Sequence, residues 1–198
     1  MVTLPSESET FTHGNARAIA YLNDLKDALD GIPLWQVAKA GKYILRTHLA
    51  GGTVFCAGNG GSQANAAHLS LHLQERGIRS IDMLGEGAIH SALANDYTYE
   101  GSLAKRLRLL AKPEDLLVVV SGSGNSLNLV AALAEARRLK VSSVALLGFG
   151  GGMAASMARV PIVLRCQAYG PVEDTHSAII HMIAGNLGDT GHGPALAR

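Results

Sequence analysis

Five short apolar runs rich in β-branched residues, spaced by stretches of helical period, constrain this chain more than any other feature. The runs are Thr53–Ala57, Ile78–Met83, Leu116–Val120, Ser142–Leu147 and Ile162–Cys166. Helical stretches lie between most of them, near Ser62–Arg76, Tyr97–Leu110, Ser126–Leu139 and Gly152–Ala158, and a last one runs from about Val172 to Leu187. Such alternation predicts an α/β fold: a five-stranded parallel sheet flanked by helices, in a three-layer arrangement of flavodoxin-like or Rossmann-like type. Ahead of the first strand, Asn15 to Ala50 carries two helical stretches broken near Gly31-Ile32-Pro33. Their apolar positions (Ile19, Leu22, Leu25, Leu29, then Val37, Ala40, Ile44, Leu45) recur at helical spacing.

A length of 198 residues is that of one domain, expected to span residues 1–198 with flexible ends at 1–14 and 188–198. With 47% hydrophobic and 17% charged residues the chain has the means to build a core, which excludes disorder. Seventeen basic and 16 acidic residues leave a formal charge of +1, so no field of one sign gathers nucleic acid or an anionic membrane. No apolar stretch approaches the roughly 20 residues of a membrane span, and the polar, acidic start does not read as a signal peptide. The expectation is a soluble, cytoplasmic protein with no nucleic-acid or membrane partner. Low charge with a mean hydropathy of +0.17 points to apolar surface covered by another copy of the chain. Cys56 and Cys166, both inside strand-like runs, read as buried reduced thiols.

Two glycine-rich loops carry the chemistry. Gly58-Asn59-Gly60-Gly61-Ser62 follows the first strand and Ser121-Gly122-Ser123-Gly124-Asn125-Ser126 the third, each leading into a helix. Glycines let the backbone approach a ligand closely, helix-start N–H groups favour an anion, and serine hydroxyls add donors. In an open α/β sheet these loops lie at the carboxyl ends of the strands, where ligands bind. Neither loop is a P-loop or a dinucleotide fingerprint. The plain alternative is a strand–helix turn with Ser62 or Ser126 as N-cap. Four serines and two asparagines across two equivalent loops favour phosphate.

His68 and His72, four apart on the helix after the first loop, share one face and are able to share a metal ion, although packing or surface is the commoner fate of such a pair. The final helix places Glu173, Asp174, His176 and His181 on an otherwise apolar segment, where polar groups need partners. Glu173 and His181 stand about 12 Å apart along a continuous helix, whereas Asp174 and His181 face the same side more closely.

Asn59-Gly60-Gly61-Ser62, the Ser121–Ser126 loop and Ala94-Asn95-Asp96 together resemble a sugar isomerase (SIS) domain and, more narrowly, the phosphoheptose isomerase family, from about residue 15 to residue 187. The resemblance implies interconversion of sedoheptulose 7-phosphate and D-glycero-D-manno-heptose 7-phosphate through an enediol. It places the phosphate at Ser62, Ser121, Gly122, Ser123 and Ser126, with Asn59, Gly60, Gly61, Asp96 and Arg76 contacting the sugar or ordering the site. It implies one zinc ion per subunit and a homotetramer. Family members hold zinc through a His and, four residues on, a Glu from the first helix, and through a Gln and a His eight residues apart on the last. Here His68 and His181 match the two histidines, His72 stands at the Glu, Glu173 at the Gln, and Gly170 at an Asp three residues before it. The resemblance thus implies His68, His72, Glu173 and His181 as metal ligands. Because the family's first-helix Glu is also its proposed base, the catalytic set becomes Glu173, His181 and His72, with Glu173 the candidate base and His181 the candidate acid.

The reading from a different class is a non-catalytic SIS protein, a sugar-phosphate binder or a partner of the bacterial replication initiator. The relative of that kind lacks metal-type residues on the last helix, whereas this chain keeps Glu173 and His181. A third reading is an isomerase for another ketose phosphate.

Overall fold

The computed structural model describes residues 7–188, with side chains from residue 15 onward; residues 1–6 and 189–198, within the two ends expected to be flexible, lie outside the described residues. Two helices, α1 (Glu7–Asp30) and α2 (Leu34–Leu49), precede β1 (Val54–Ala57). There follow α3 (Gly61–Glu75), β2 (Ser80–Asp82), α4 (Gly87–Tyr97), α5 (Tyr99–Leu110), β3 (Leu116–Ser121), α6 (Leu127–Arg138), β4 (Ser142–Leu147), α7 (Gly152–Met157), β5 (Val160–Val163) and α8 (Tyr169–Asn186).

The strands form one parallel sheet in the order β2-β1-β3-β4-β5. Register runs Val54↔Ser80 to β2, Val54↔Leu116 to β3, Leu116↔Ser142 between β3 and β4, and Val144↔Val160 to β5. Strand side chains alternate between faces. Val54, Cys56, Leu116, Val118 and Val120 therefore pack with α2, α3 and α8 on one side. Phe55, Ala57, Leu117 and Val119 pack with α5, α6 and α7 on the other. The strand order reverses at β1, with β2 on one side and β3 on the other, so the crevice outside the ends of β1 and β3 is the switch point where such folds bind ligands. Both glycine loops open there.

Two elements differ from the sequence reading. The helix expected over Tyr97–Leu110 is α5, and ahead of it stands a helix that was not expected, α4, joined to it at Thr98 (φ 95°). No residue of α4 is buried, so its sequence carries no apolar stripe from which to read it. Strand β5 begins at Val160, two residues early. Leu164 donates to the Leu147 carbonyl (2.8 Å); by alternation Pro161, which has no N–H, faces away from β4, as a sheet edge allows. Cys166 consequently lies beyond the strand and is only partly buried, while Cys56 is fully buried; both thiols are free. Among the described residues no helix is long and apolar enough to cross a membrane.

Candidate functional site

Each glycine loop shapes its own half of a cradle. Gly60 (φ 56°) caps α3, so the helix starts at Gly61 and Ser62 falls inside its first turn instead of at the cap. In the second loop the Ser121 hydroxyl accepts from the Gly124 N–H (3.0 Å) and the Ser123 hydroxyl from the Asn125 N–H (3.2 Å). Gly124 has φ 66°, and a Cβ there would overlap the Gly151 carbonyl, so only glycine fits. Ser126 does occupy the N-cap of α6, yet its hydroxyl makes no capping bond. A cavity of about 280 Å³ lies between the loops. It is lined by Asn59, Gly60 and Ser62 from the first loop, by Ser121, Gly122, Ser123 and Ser126 from the second, and by Tyr169 and Glu173 from α8. Two helix starts, α3 and α6, thus aim their unpaired N–H groups into one hydroxyl-rich space, an arrangement suited to a phosphate.

Helices α3 and α8 run side by side in the same direction: Glu173 meets Gly61, and the Asn65 amide donates to the Glu173 carbonyl (2.9 Å). Two turns on, the His68 and His181 rings stand 4.9 Å apart, His68 and His72 4.4 Å, and His72 and His181 5.0 Å. One nitrogen from each of the three lies within 4.8 Å of the others. Glu173 is not a member of this group: its carboxylate packs at the start of α3, seven residues before His68, and lines the cradle. The four ligands expected for one ion are therefore divided, three imidazoles together and the carboxylate apart. Glu173 turns its carboxylate onto Gly61 at the start of α3, away from the three imidazoles.

His72 donates from Nδ1 to the Glu75 carboxylate (3.1 Å), while its Nε2 is buried with no hydrogen-bond partner. The His68 pKa is lowered, first by partial burial and then by the nearby His72 and His181, with Glu75 opposing. Three clustered imidazoles, His72 among them with an orphaned buried nitrogen, fit a borderline-soft divalent cation such as zinc.

Other residues singled out in the sequence are placed differently. Arg76 donates to the His72 carbonyl (2.9 Å) and so supports the end of α3 instead of lining the cradle. Asp96 lies exposed on α4, accepting from Asn95 (3.0 Å), also away from the cradle. Asp174 turns from the cavity to α1, where the Tyr21 hydroxyl donates to it (2.5 Å). That bond, with burial and the negative charge of Asp174 and Glu173, pushes the Tyr21 pKa up to about 12. The Tyr21 ring covers Gly170, where a Cβ would overlap it. The departure at Gly170 is thus accommodated by an aromatic ring from another helix. Tyr169, Tyr99 and Asn128 are site components that the sequence reading missed. Asn128 alone carried a signal, a polar residue on the buried face of α6.

Fold and site together define a doubly wound α/β protein with an anion cradle at its switch point and an imidazole cluster beside it. The family model for the SIS domain matches residues 20–148. A phosphoheptose isomerase of Mycobacterium tuberculosis is 34% identical over 191 residues, covering 93% of this chain and 94% of its own. One from Akkermansia muciniphila is 36% identical over 140 residues, 68% of this chain and 74% of its own. The solved structure of a phosphoheptose isomerase from Francisella tularensis superposes with a TM-score of 0.79 at 25% identity, over 92% of this chain and 98% of that one. The chain belongs to the phosphoheptose isomerase family of SIS-domain proteins.

Proposed function

We propose that this chain is an aldose–ketose isomerase interconverting sedoheptulose 7-phosphate and D-glycero-D-manno-heptose 7-phosphate. The observation that carries the reading is one cavity lined both by two glycine–serine loops and by the Glu173 carboxylate. Serine hydroxyls (Ser62, Ser121, Ser123, Ser126) and the N–H groups of two helix starts bind the phosphate. The sugar then runs along the α8 wall past Glu173 towards His181. Anchoring the far end orients the reacting carbons.

Isomerisation moves a proton between C1 and C2. Glu173, outside the imidazole group and on the cavity wall, takes the proton from the carbon next to the carbonyl and returns it to the neighbouring carbon. His181 carries the accompanying proton between the two oxygens and assists ring opening. His68, His72 and His181 would hold one zinc ion per subunit, which when bound supplies Lewis-acid polarisation of the carbonyl and hydroxyl oxygens. Arg76 orders the site through the His72 carbonyl. Exposed apolar side chains on α1 and α2, Ile19, Leu22, Leu34 and Trp35 among them, support a homo-oligomer, for which we propose the tetramer of the family. We propose a single domain over residues 1–198 and a cytoplasmic location.

The test is turnover of sedoheptulose 7-phosphate with metal content determined on the same sample, before and after chelation. Turnover lost on chelation and restored by zinc is the expected result. Absence of turnover with a filled metal site would redirect the reading to another sugar phosphate, and absence of both would leave a non-catalytic binder.

A further inference from the structure

The two loops of the cradle are joined by side chains as well as by the sheet. Asn59, in the first loop, donates from Nδ2 to Asn128 Oδ1 (2.9 Å), and Asn128 Nδ2 donates back to Asn59 Oδ1 (2.8 Å). Asn128 sits two residues after Ser126, is 2% exposed, and belongs to the second loop's helix. The Tyr99 hydroxyl, from α5, makes a third bond to Asn59 Oδ1 (2.8 Å). An amide oxygen has two acceptor positions and an amide nitrogen two protons. Both acceptor positions of Asn59 are taken, and one of its protons is committed to Asn128. A single N–H of Asn59, a residue that lines the cavity, remains for a ligand.

We propose that Asn128 and Tyr99 are positioning residues that lock the Asn59 amide in one orientation, so that Asn59 meets the ligand only as a donor to an acceptor oxygen. The inference rests on the sugar-phosphate reading of the cradle. It gives Asn59 a narrower role than general contact with sugar hydroxyls: it supplies one N–H to a carbonyl, phosphate or developing alkoxide oxygen. Without Asn128 the amide is free to turn and present its oxygen instead, which repels such a group. The same reciprocal pair spans the ends of adjacent strands β1 and β3, so it also sets the spacing between the loops that a ligand touching both must match.

The test is a double-mutant cycle of Asn59→Ala, Asn128→Ala and the pair, read as the dissociation constant of sedoheptulose 7-phosphate by calorimetry, with urea midpoints as the folding control. Each single variant is expected to weaken binding about tenfold. The double variant is expected to bind no more weakly than Asn59→Ala alone, because Asn128 acts through Asn59. Losses that multiply in the double variant would overturn the proposal. Tyr99→Phe, an exposed position that leaves the core intact, keeps the test open if Asn128→Ala fails to fold. It is expected to raise KM about fivefold with kcat nearly unchanged, and to have no further effect when added to Asn59→Ala. A Tyr99→Phe effect that persists on the Asn59→Ala background would refute the proposal. Wild-type protein that does not bind the sugar phosphate would overturn the parent reading. Wild type that binds without turning it over leaves the cycle decisive.

Discussion

His176 is fully buried on α8, and neither ring nitrogen makes a hydrogen bond of good geometry, the Leu147 backbone offering only a weak one. Burial lowers its pKa from the ordinary 6.5 to about 4, which the neighbouring Leu147 backbone opposes only in part. The ring is therefore neutral in the native protein under conditions where the unfolded chain protonates it. Between pH 6.5 and about 4 the unfolded state binds the extra proton, so stability falls as pH drops through that window and levels off below it. At about pH 5 the unfolded ring is almost wholly protonated and the native ring almost wholly neutral, a loss of about 2 kcal/mol relative to neutral pH. Replacing His176 by Met keeps an apolar side chain of similar bulk and removes the titration. In urea unfolding at fixed protein concentration, wild type is expected to lose about 2 kcal/mol more than His176→Met between about pH 7.5 and pH 5. At neutral pH the variant is expected to be at least as stable as wild type, because two buried, poorly bonded nitrogens are gone. A wild-type-minus-variant difference that stays constant across the two pH values would refute the assignment of a neutral buried imidazole.

Gly61→Ala puts a favourable residue into a helix, yet its Cβ overlaps the Glu173 carboxylate; the thermal midpoint is expected to hold or rise while turnover drops about a hundredfold. In steady-state kinetics Ser126→Ala is expected to raise KM about tenfold with little change in kcat, and Glu173→Gln to lower kcat by about a hundredfold or more at nearly constant KM. The reverse pattern would exchange the anchoring and proton-transfer roles. Arg138 and Arg108 donate to the Glu135 carboxylate (2.7 and 2.8 Å) and hold its pKa down to about 2. The stabilisation is therefore complete above about pH 4.5 and lost as pH falls towards 2, so Glu135→Gln is expected to lower the melting temperature at neutral pH, with the difference closing in acid.

Sequence alone determined the layered architecture, because hydrophobic pattern is a local property: continuous β-rich apolar runs in Val54–Ala57 and Leu116–Val120, as strands buried on both faces require, and helical spacing in the segments between are written along the chain. The two glycine–serine loops were legible for the same reason, since tight turns and helix starts depend on adjacent residues. Helix α4 was not, because it buries nothing, and the true start of β5 was not, because only its edge position makes Pro161 acceptable. The division of the expected metal set was likewise out of reach. Eight residues along α8 separate Glu173 from His181, but which neighbour each meets is decided by the parallel packing of α3 against α8. Contacts between residues far apart in sequence, such as Tyr21 on Asp174 and Asn59 on Asn128, depend on how helices and strand ends are brought together in space. Those pairings set what each polar group has left to offer a ligand, and only the tertiary structure decides them.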